Sequence, residues 1–305
     1  MRLLEAELRF KLFHRHGHGV ELTNEGMAFL DRCQHVLNDF EQLRNDFRSH
    51  RSGKVVMGNV CIGLPVPATR FATPRLLATA REAHPGLSVR FVEGFSTLLH
   101  EWLLSGSLDL AILFEPRTSK ILSSTPLLFE DLFAVSAAKY APKNPKFIEA
   151  QDLSSTTLIL PHRPHVLRDL VDGLHLPRES YMEIDSTSLM IELARTGNGT
   201  TILPRGSVES ALRSGNLVAL PIVNPTLSWQ VSVCYSNVRP LSLGAKVMLN
   251  LMRKEITQKV ISGEWGPGRL IRSGTDQTAE GAGDYNNPAA SDGSKANTRK
   301  KSTRR

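Results

Sequence analysis

At 305 residues and 41% hydrophobic, the chain has enough apolar material for a sizeable core, with room for a small head beside one or two ordinary domains. No stretch approaches the roughly 20 apolar residues of a membrane span, and the first residues lack the apolar run of a secretory signal, so a cytoplasmic protein is predicted. The net charge of +7 is weak evidence for nucleic acid, because residues 266–305 hold eight Lys or Arg against four acids and carry most of the excess.

In chain order, residues 1–22 read as a short helix followed by a Gly/His turn, and residues 23–53 as one long helix. Thr23 is placed to cap that helix, with Glu25 in its first turn, where free N–H groups and the positive dipole end favour an acceptor and a negative charge. Phe29, Cys33, Val36, Phe40, Leu43 and Phe47 then follow at alternating spacings of four and three, a heptad seam of about three repeats. The same seam suits either a helix lying on its own domain or a dimer interface. The second is favoured, since the flanking sequence offers no adjoining domain for the seam to cover.

Residues 54–265 alternate strand-like and helix-like segments. VVMGNVCIG (55–63), LSVRFVEG (87–94) and the continuous apolar run LDLAILF (108–114) are separated by the helical patterns 70–84 and 96–106. This βαβαβ order predicts a parallel sheet with right-handed crossovers. The long strand PLLFEDLFAVSA (126–137) leads into a second α/β series, and WQVSVCYS (229–236) leads back to a closing helix at 243–261. Two lobes joined by two crossing strands are expected, lobe I from 54–130 and 236–265, lobe II from 131–235. Ligands of such bodies bind in the cleft outside the strand ends. From Gly266 the composition turns to Gly, Ser, Ala, Asn and Thr without apolar period, which predicts a disordered basic tail over 266–305.

Residues 3–26, LLEAELRFKLFHRHGHGVELTNEG, resemble the end of the DNA-binding domain of LysR-type transcriptional regulators, with Leu4, Glu5, Leu8, Leu12, Phe13, Arg15, Gly19, Leu22, Thr23 and Gly26 in register. Arg9 stands at the family's usual glycine and His18 at a common Arg or Lys. AREAHPGLSVRFVEG and LLSGSLDLAIL are similar to the family's first effector-lobe strands, and EGFSTLLHEWLLSGSLDLAI to its nitrogen-assimilation-control branch. The resemblance implies a partial winged helix-turn-helix, a linker helix and a two-lobed effector domain of the type II periplasmic-binding-protein-like fold. It also places the first two helices and most of the recognition helix before Met1. The chain is therefore expected to hold only the end of that helix and the wing, through either an internal start or a true truncation. A helix-turn-helix reads bases through the N-terminal part of its second helix, so no base contact is assigned. Arg15, His16 and His18 in the wing remain as phosphate contacts.

The remaining motifs are few. HRHGH (14–18) and the pair His162 and His165 lack the Cys or carboxylate partners of a metal cage. Cys33, Cys61 and Cys234 form no CxxC and read as buried small residues, with a thiol sensor as the alternative. No nucleophile elbow, P-loop, GxGxxG or HExxH is found, so neither catalysis nor a cofactor is predicted. Effector contacts are expected where helices begin after strands, at Pro65, Thr69, Ser96, Thr97, His162 and Arg163. The resemblance implies the same loops and adds Thr187 and Thr200 from the opposing lobe. Each hydroxyl has simple helix capping as its alternative role, and Arg163 hints at an anionic effector, with an ordinary surface Arg as the favoured alternative. The function expected is a promoter-binding regulator, dimeric or tetrameric, that responds to a small molecule between the lobes. The rivals are a DNA-incompetent fragment acting by dimerisation and a freestanding solute-binding protein.

Overall fold

A computed structural model describes residues 1–17, 19–52, 56–117, 119–140, 146–176 and 181–271. His18 and residues 272–305, which include most of the expected tail, lie outside the described residues. Helix α1 (Arg2–Leu8) leads into the hairpin β1 (Phe13–His16) and β2 (Gly19–Leu22), paired from Phe13 with Leu22 to His16 with Gly19. Arg9, at the position where the resemblance puts glycine, ends α1 in the left-handed region at φ 60°. Helix α2 (Asn24–Ser52) starts as the sequence predicts. Thr23 Oγ1 accepts the Gly26 amide at 2.8 Å and donates to the Lys11 carbonyl at 2.6 Å.

The effector body follows as β3 (Gly58–Leu64), α3 (Val66–Ala83), β4 (Leu87–Glu93), α4 (Ser96–Ser105) and β5 (Leu110–Phe114). Strand β3 runs parallel to both β4 and β5, as the predicted βαβαβ unit requires. All five residues of β5 are buried, in keeping with its unbroken apolar run. Strand β6 (Leu122–Ala137) is the longest, and it belongs to both lobes: residues up to Asp131 pair in lobe I, whereas Leu132–Ala137 pair in lobe II.

Lobe II continues with β7 (Ile148–Glu149), β8 (Leu158–Leu160), α5 (Val166–Asp172), β9 (Tyr181–Glu183), α6 (Thr187–Thr196), β10 (Thr200–Pro204), α7 (Glu209–Arg213) and β11 (Leu217–Val223). Its strands lie in the order β6, β10, β8, β9, with β11 on the other side of β6. The chain returns through β12 (Ser228–Ser236), then α8 (Leu243–Ile261), which packs on α3, and β13 (Gly268–Leu270). Among the described residues no helix is long and apolar enough to cross a membrane.

Two boundaries differ from expectation. Strand β12, placed by sequence in lobe II, pairs along its whole length with β6 and, from Val231, with β5, so it is a lobe I strand. Its alternation puts Trp229, Val231 and Val233 into the lobe I core, and among the described residues β6 is the strand that pairs in both lobes. Residues 266–271, assigned to the tail by composition, instead carry β13, which pairs with Leu128–Glu130. The buried Trp265 anchors this extension, and a cluster of glycines masks its apolar residues in a composition window.

Candidate functional site

Where β6 passes from one lobe to the other, the helices that follow the strands of both lobes face each other across a cleft. Lobe I supplies Pro65, Val66 and Pro67 at the start of α3, Phe95, Ser96 and Thr97 at the start of α4, Phe114 at the end of β5, and Trp229 of β12. Lobe II answers with Pro161, His165, Val166, Leu167, Thr187, Met190 and Leu203. The enclosed space is small, about 30 Å³. The walls are therefore nearly in contact, and any organic ligand must part them.

The contacts that hold the cleft closed are few. The Phe95 ring meets His165 edge-on at 4.8 Å, and Thr97 Oγ1 donates to the Pro164 carbonyl at 3.4 Å. Burial lowers the His165 pKa to about 4, and its Nδ1 accepts the Leu167 amide at 3.1 Å, so the ring is neutral with its proton on Nε2 at ordinary pH.

The two walls are finished differently. In lobe II, α5 is capped by His165, and α6 by Ser186, which accepts the Leu189 amide at 3.4 Å. In lobe I, α3 and α4 begin at Pro65 and Phe95, neither of which provides a side-chain cap. Ser96 Oγ is turned instead to the Phe114 amide, which it accepts at 2.9 Å. The start of α4 thus faces the cleft without a side-chain acceptor, at a place suited to an anion, whereas α3 offers fewer donors because Pro67 has no N–H and the Ala68 amide is given to the Pro65 carbonyl.

Behind the cleft wall, Phe114 and Trp229 stack with centroids 4.1 Å apart and planes within 9°. Trp229 Nε1 donates at 2.7 Å to the carboxylate of Glu130, which is 3% exposed and lies on β6 beside the lobe crossing. Burial pushes the Glu130 pKa up to about 7, against the opposing pull of the Trp229 and Trp265 indoles, and the neighbouring Asp131 charge raises it further.

Of the residues expected at the site, Pro65, Ser96, Thr97 and Thr187 line the cleft. Thr69, His162, Arg163 and Thr200 stand off the lining. Thr69 Oγ1 turns back to the Pro65 carbonyl, and Thr200 shares a hydrogen bond with Thr156 at 3.2 Å. The exposed His162 gives its amide to Asp185, and Arg163 is paired with Asp169 and Asp172, so its charge is already matched inside lobe II. Sequence reasoning missed Phe95, His165, Phe114, Trp229 and Glu130. Phe114 gave no signal because β5 is apolar on both faces, and Trp229 gave none because the alternation of β12 marks its buried face without saying which end opens on a cleft.

At the N-terminal end, Arg15 is half-exposed and paired with Glu5 at 3.6 Å, while His16 faces Glu21 at 3.4 Å. Glu5 accepts the Leu12 and Phe13 amides, and these bonds together with Arg15 hold its carboxyl below the usual range. Along α2, Phe29 packs edge-on against Phe10, whereas Val36, Phe40, Leu43 and Phe47 are each more than half exposed. From Val36 to Phe47 the apolar residues of the heptad seam are therefore exposed, while its start at Phe29 rests on Phe10. Burial raises the Cys61 thiol pKa and pushes that of Cys234 up to about 11, which keeps both protonated and poorly nucleophilic.

Residues 54–257 match the family model of the LysR substrate binding domain. The chain is 27% identical over 266 residues to the HTH-type transcriptional regulator BbuR of Bordetella bronchiseptica, covering 86% of this chain and 81% of that protein. It is 29% identical over 264 residues to the nitrogen assimilation regulatory protein Nac of Klebsiella aerogenes, covering 85% and 83% respectively. Among solved structures, a full-length OxyR variant from Pseudomonas aeruginosa superposes with a TM-score of 0.63 at 22% identity, over 84% of this chain and 83% of that one. Full-length CbnR complexed with its target DNA gives a TM-score of 0.63 at 21% identity, over 84% and 88%. These structural likenesses establish a shared fold.

Proposed function

The chain belongs to the LysR-type transcriptional regulators, whose substrate-binding domain it carries over residues 54–257, and from that premise we propose that it regulates transcription in the cytoplasm by coupling a cleft-bound effector to promoter DNA. The effector is a small molecule with an anionic group and an apolar body. Its anion sits at the uncapped start of α4, near Ser96 and Thr97, and its apolar part lies against Phe114 and Trp229. Thr187 contributes from the far wall. The observation that carries this reading is the asymmetry of the cleft: lobe II caps its own helices, whereas lobe I leaves the start of α4 facing the space.

The exposed seam Val36, Phe40, Leu43 and Phe47, continuous with Phe29 and Cys33, supports pairing of two α2 helices in a homodimer, and through it a tetramer. Arg15 and His16 of the wing support contacts to DNA phosphates, with His18 between the two strands of the hairpin in sequence. An enzymatic role has no residues assigned to it. Binding can shift the angle between lobes only if it differs between open and closed states, and the nearly filled cleft supplies that difference.

The test is a titration of the full chain with small aliphatic and aromatic carboxylates, following melting temperature, solution scattering and promoter affinity together. A ligand that raises the melting temperature and changes both scattering and promoter affinity supports the reading. Ligand binding with unchanged scattering and promoter affinity counts against it. A gel shift of this chain alone that shows no salt-dependent retardation would favour a regulator acting only through dimerisation with other family members.

A further inference from the structure

A second cavity, larger and more polar than the cleft, lies between α2 and the face of lobe I built by β3, the start of β5 and the start of α8. Among the described residues, two side-chain contacts span it. Gln42 Nε2 donates to Asp109 Oδ1 at 2.9 Å, and Arg239 is paired with Asp39. The second is a half-exposed ion pair of the kind that contributes little by itself. Arg239 is nonetheless fixed in place, because its guanidinium also reaches the Ser105 carbonyl at 3.4 Å and passes over Gly106, where φ is +80° and a side chain would collide with it.

Asp109 is tied in more deeply. Its Oδ2 accepts the Cys61 amide at 2.7 Å, while its own amide donates to the Cys61 carbonyl at 2.9 Å. This closes a two-bond clamp at the point where β3 and β5 begin to pair. One carboxylate oxygen thus belongs to the lobe I sheet and the other to the linker helix. Burial raises the Asp109 pKa, opposed by its bonds from Cys61 and Gln42, as fits a carboxylate held away from solvent by specific donors. The strand that Asp109 opens is β5, and the far end of β5 is Phe114, stacked on Trp229 in the cleft wall and bonded to Ser96 at the start of α4.

We infer that Asp109 is a positioning residue that latches α2 to lobe I through Gln42 and, by way of β5, links the angle of the linker helix to the state of the cleft. The latch is a property of the fold, whereas its use as a signal rests on the effector reading above. A five-residue strand buried on both sides is a stiff connector, so a displacement of Phe114 and α4 is delivered to Asp109 instead of being absorbed. The exposed seam of α2 and the latch lie on different positions of the helix, so both can be engaged at once.

The experiment uses the full chain with Glu41→Cys and Ser107→Cys, two exposed positions on opposite sides of the cavity, in a Cys33→Ser, Cys61→Ser background. A short bismaleimide is added, and the intramolecular product is followed by mass spectrometry. Gln42→Glu sets two carboxylates against each other and is expected to slow crosslinking at least fivefold. Adding Asp109→Asn reverses the polarity of the bond, because the new amide can donate to the carboxylate introduced on α2 while its carbonyl still accepts the backbone amide of position 61. Crosslinking should return to within twofold of the parent. A parental rate in Gln42→Glu, or no recovery in the double variant, overturns the latch. Phe95→Ala removes the main ring contact across the cleft at a partly exposed site. It should change the crosslinking rate at least twofold in the parent and not at all in Gln42→Glu. No change in the parent overturns the coupling to the cleft. Neither effector nor DNA is present, so these outcomes are separate from success or failure of the effector reading.

Discussion

The molecule sets two apolar surfaces against each other, one finished within the chain and one left open. The cleft wall of Phe114 and Trp229 is closed from behind by Glu130 and from in front by the opposite lobe, and Trp229 is 2% exposed. The α2 seam holds four large apolar side chains that are each more than half exposed. What separates them is whether the chain supplies the second surface. The difference separates a body whose core is completed within the chain from a face of α2 that the proposed pairing of two copies covers, which makes that pairing a concentration-dependent quantity to measure.

The largest expected effect tests the closed surface. Trp229→Ala removes a buried indole together with its stacking on Phe114 and its donation to Glu130, and leaves a cavity beside a buried carboxyl. A loss of about 4 kcal/mol in urea unfolding is expected, independent of protein concentration. A loss below about 1 kcal/mol would show that the wall is not part of the cooperative core.

Glu130 gives the next largest effect, and its sign follows from linkage. Its pKa is about 7 in the fold against 4.5 for the unconstrained group, so the folded state binds the proton more tightly. Its contribution to stability is fully present below the unfolded value and is lost as pH rises through about 7. The loss amounts to about 3 kcal/mol. Glu130→Gln keeps an acceptor for Trp229 without the charge, so its stability relative to the parent should rise by about 2–3 kcal/mol between about pH 5 and pH 8. Parallel curves for the two proteins would mean that the carboxyl ionises at its ordinary pH.

Phe40→Glu tests the open surface. In a symmetric pair of helices the charge is introduced twice, so the dimer dissociation constant measured by sedimentation should rise roughly 100-fold, about 2.7 kcal/mol. The urea midpoint of the effector body should be unchanged at low concentration. If that midpoint falls as well, the seam itself supports the body, beyond the Gln42 and Asp39 contacts elsewhere on α2, and the contrast drawn between the two surfaces is wrong.

How much of this was legible in the sequence follows the same division. Elements whose information is local were readable: the Thr23 cap, the heptads of α2, the βαβαβ of lobe I and the closing helix α8 at 243–261. Of the residues expected at helix starts, Pro65, Ser96, Thr97 and Thr187 line the space between the lobes. The residues that were missed act through long-range pairing. Glu130 becomes a buried acceptor only because β12 lies beside β6 in a register that sets Trp229 opposite it. Strand β12 was assigned to the wrong lobe for the same reason, as its partners come from distant segments of the chain, Trp229 and Glu130 being 99 positions apart. Arg163 looked like a free cation because its acids, Asp169 and Asp172, become its partners only when the turn before α5 folds back.

The smallest effect concerns the junction where the open region begins. Thr23 is 5% exposed, caps α2 by accepting the Gly26 amide, and donates to the Lys11 carbonyl ahead of the hairpin. Thr23→Ala removes both bonds and leaves the buried Gly26 amide without its acceptor, a cost of about 1–2 kcal/mol. Gly26 leaves no room for a compensating shift, because a Cβ there would meet the Leu12 backbone. The cost should be felt locally. Hydrogen exchange of the Gly26 amide should speed up roughly tenfold while the amides of β5 keep their protection. If β5 loosens to the same extent, the hairpin and α2 unfold together with the effector body, and the open and closed regions form one cooperative unit.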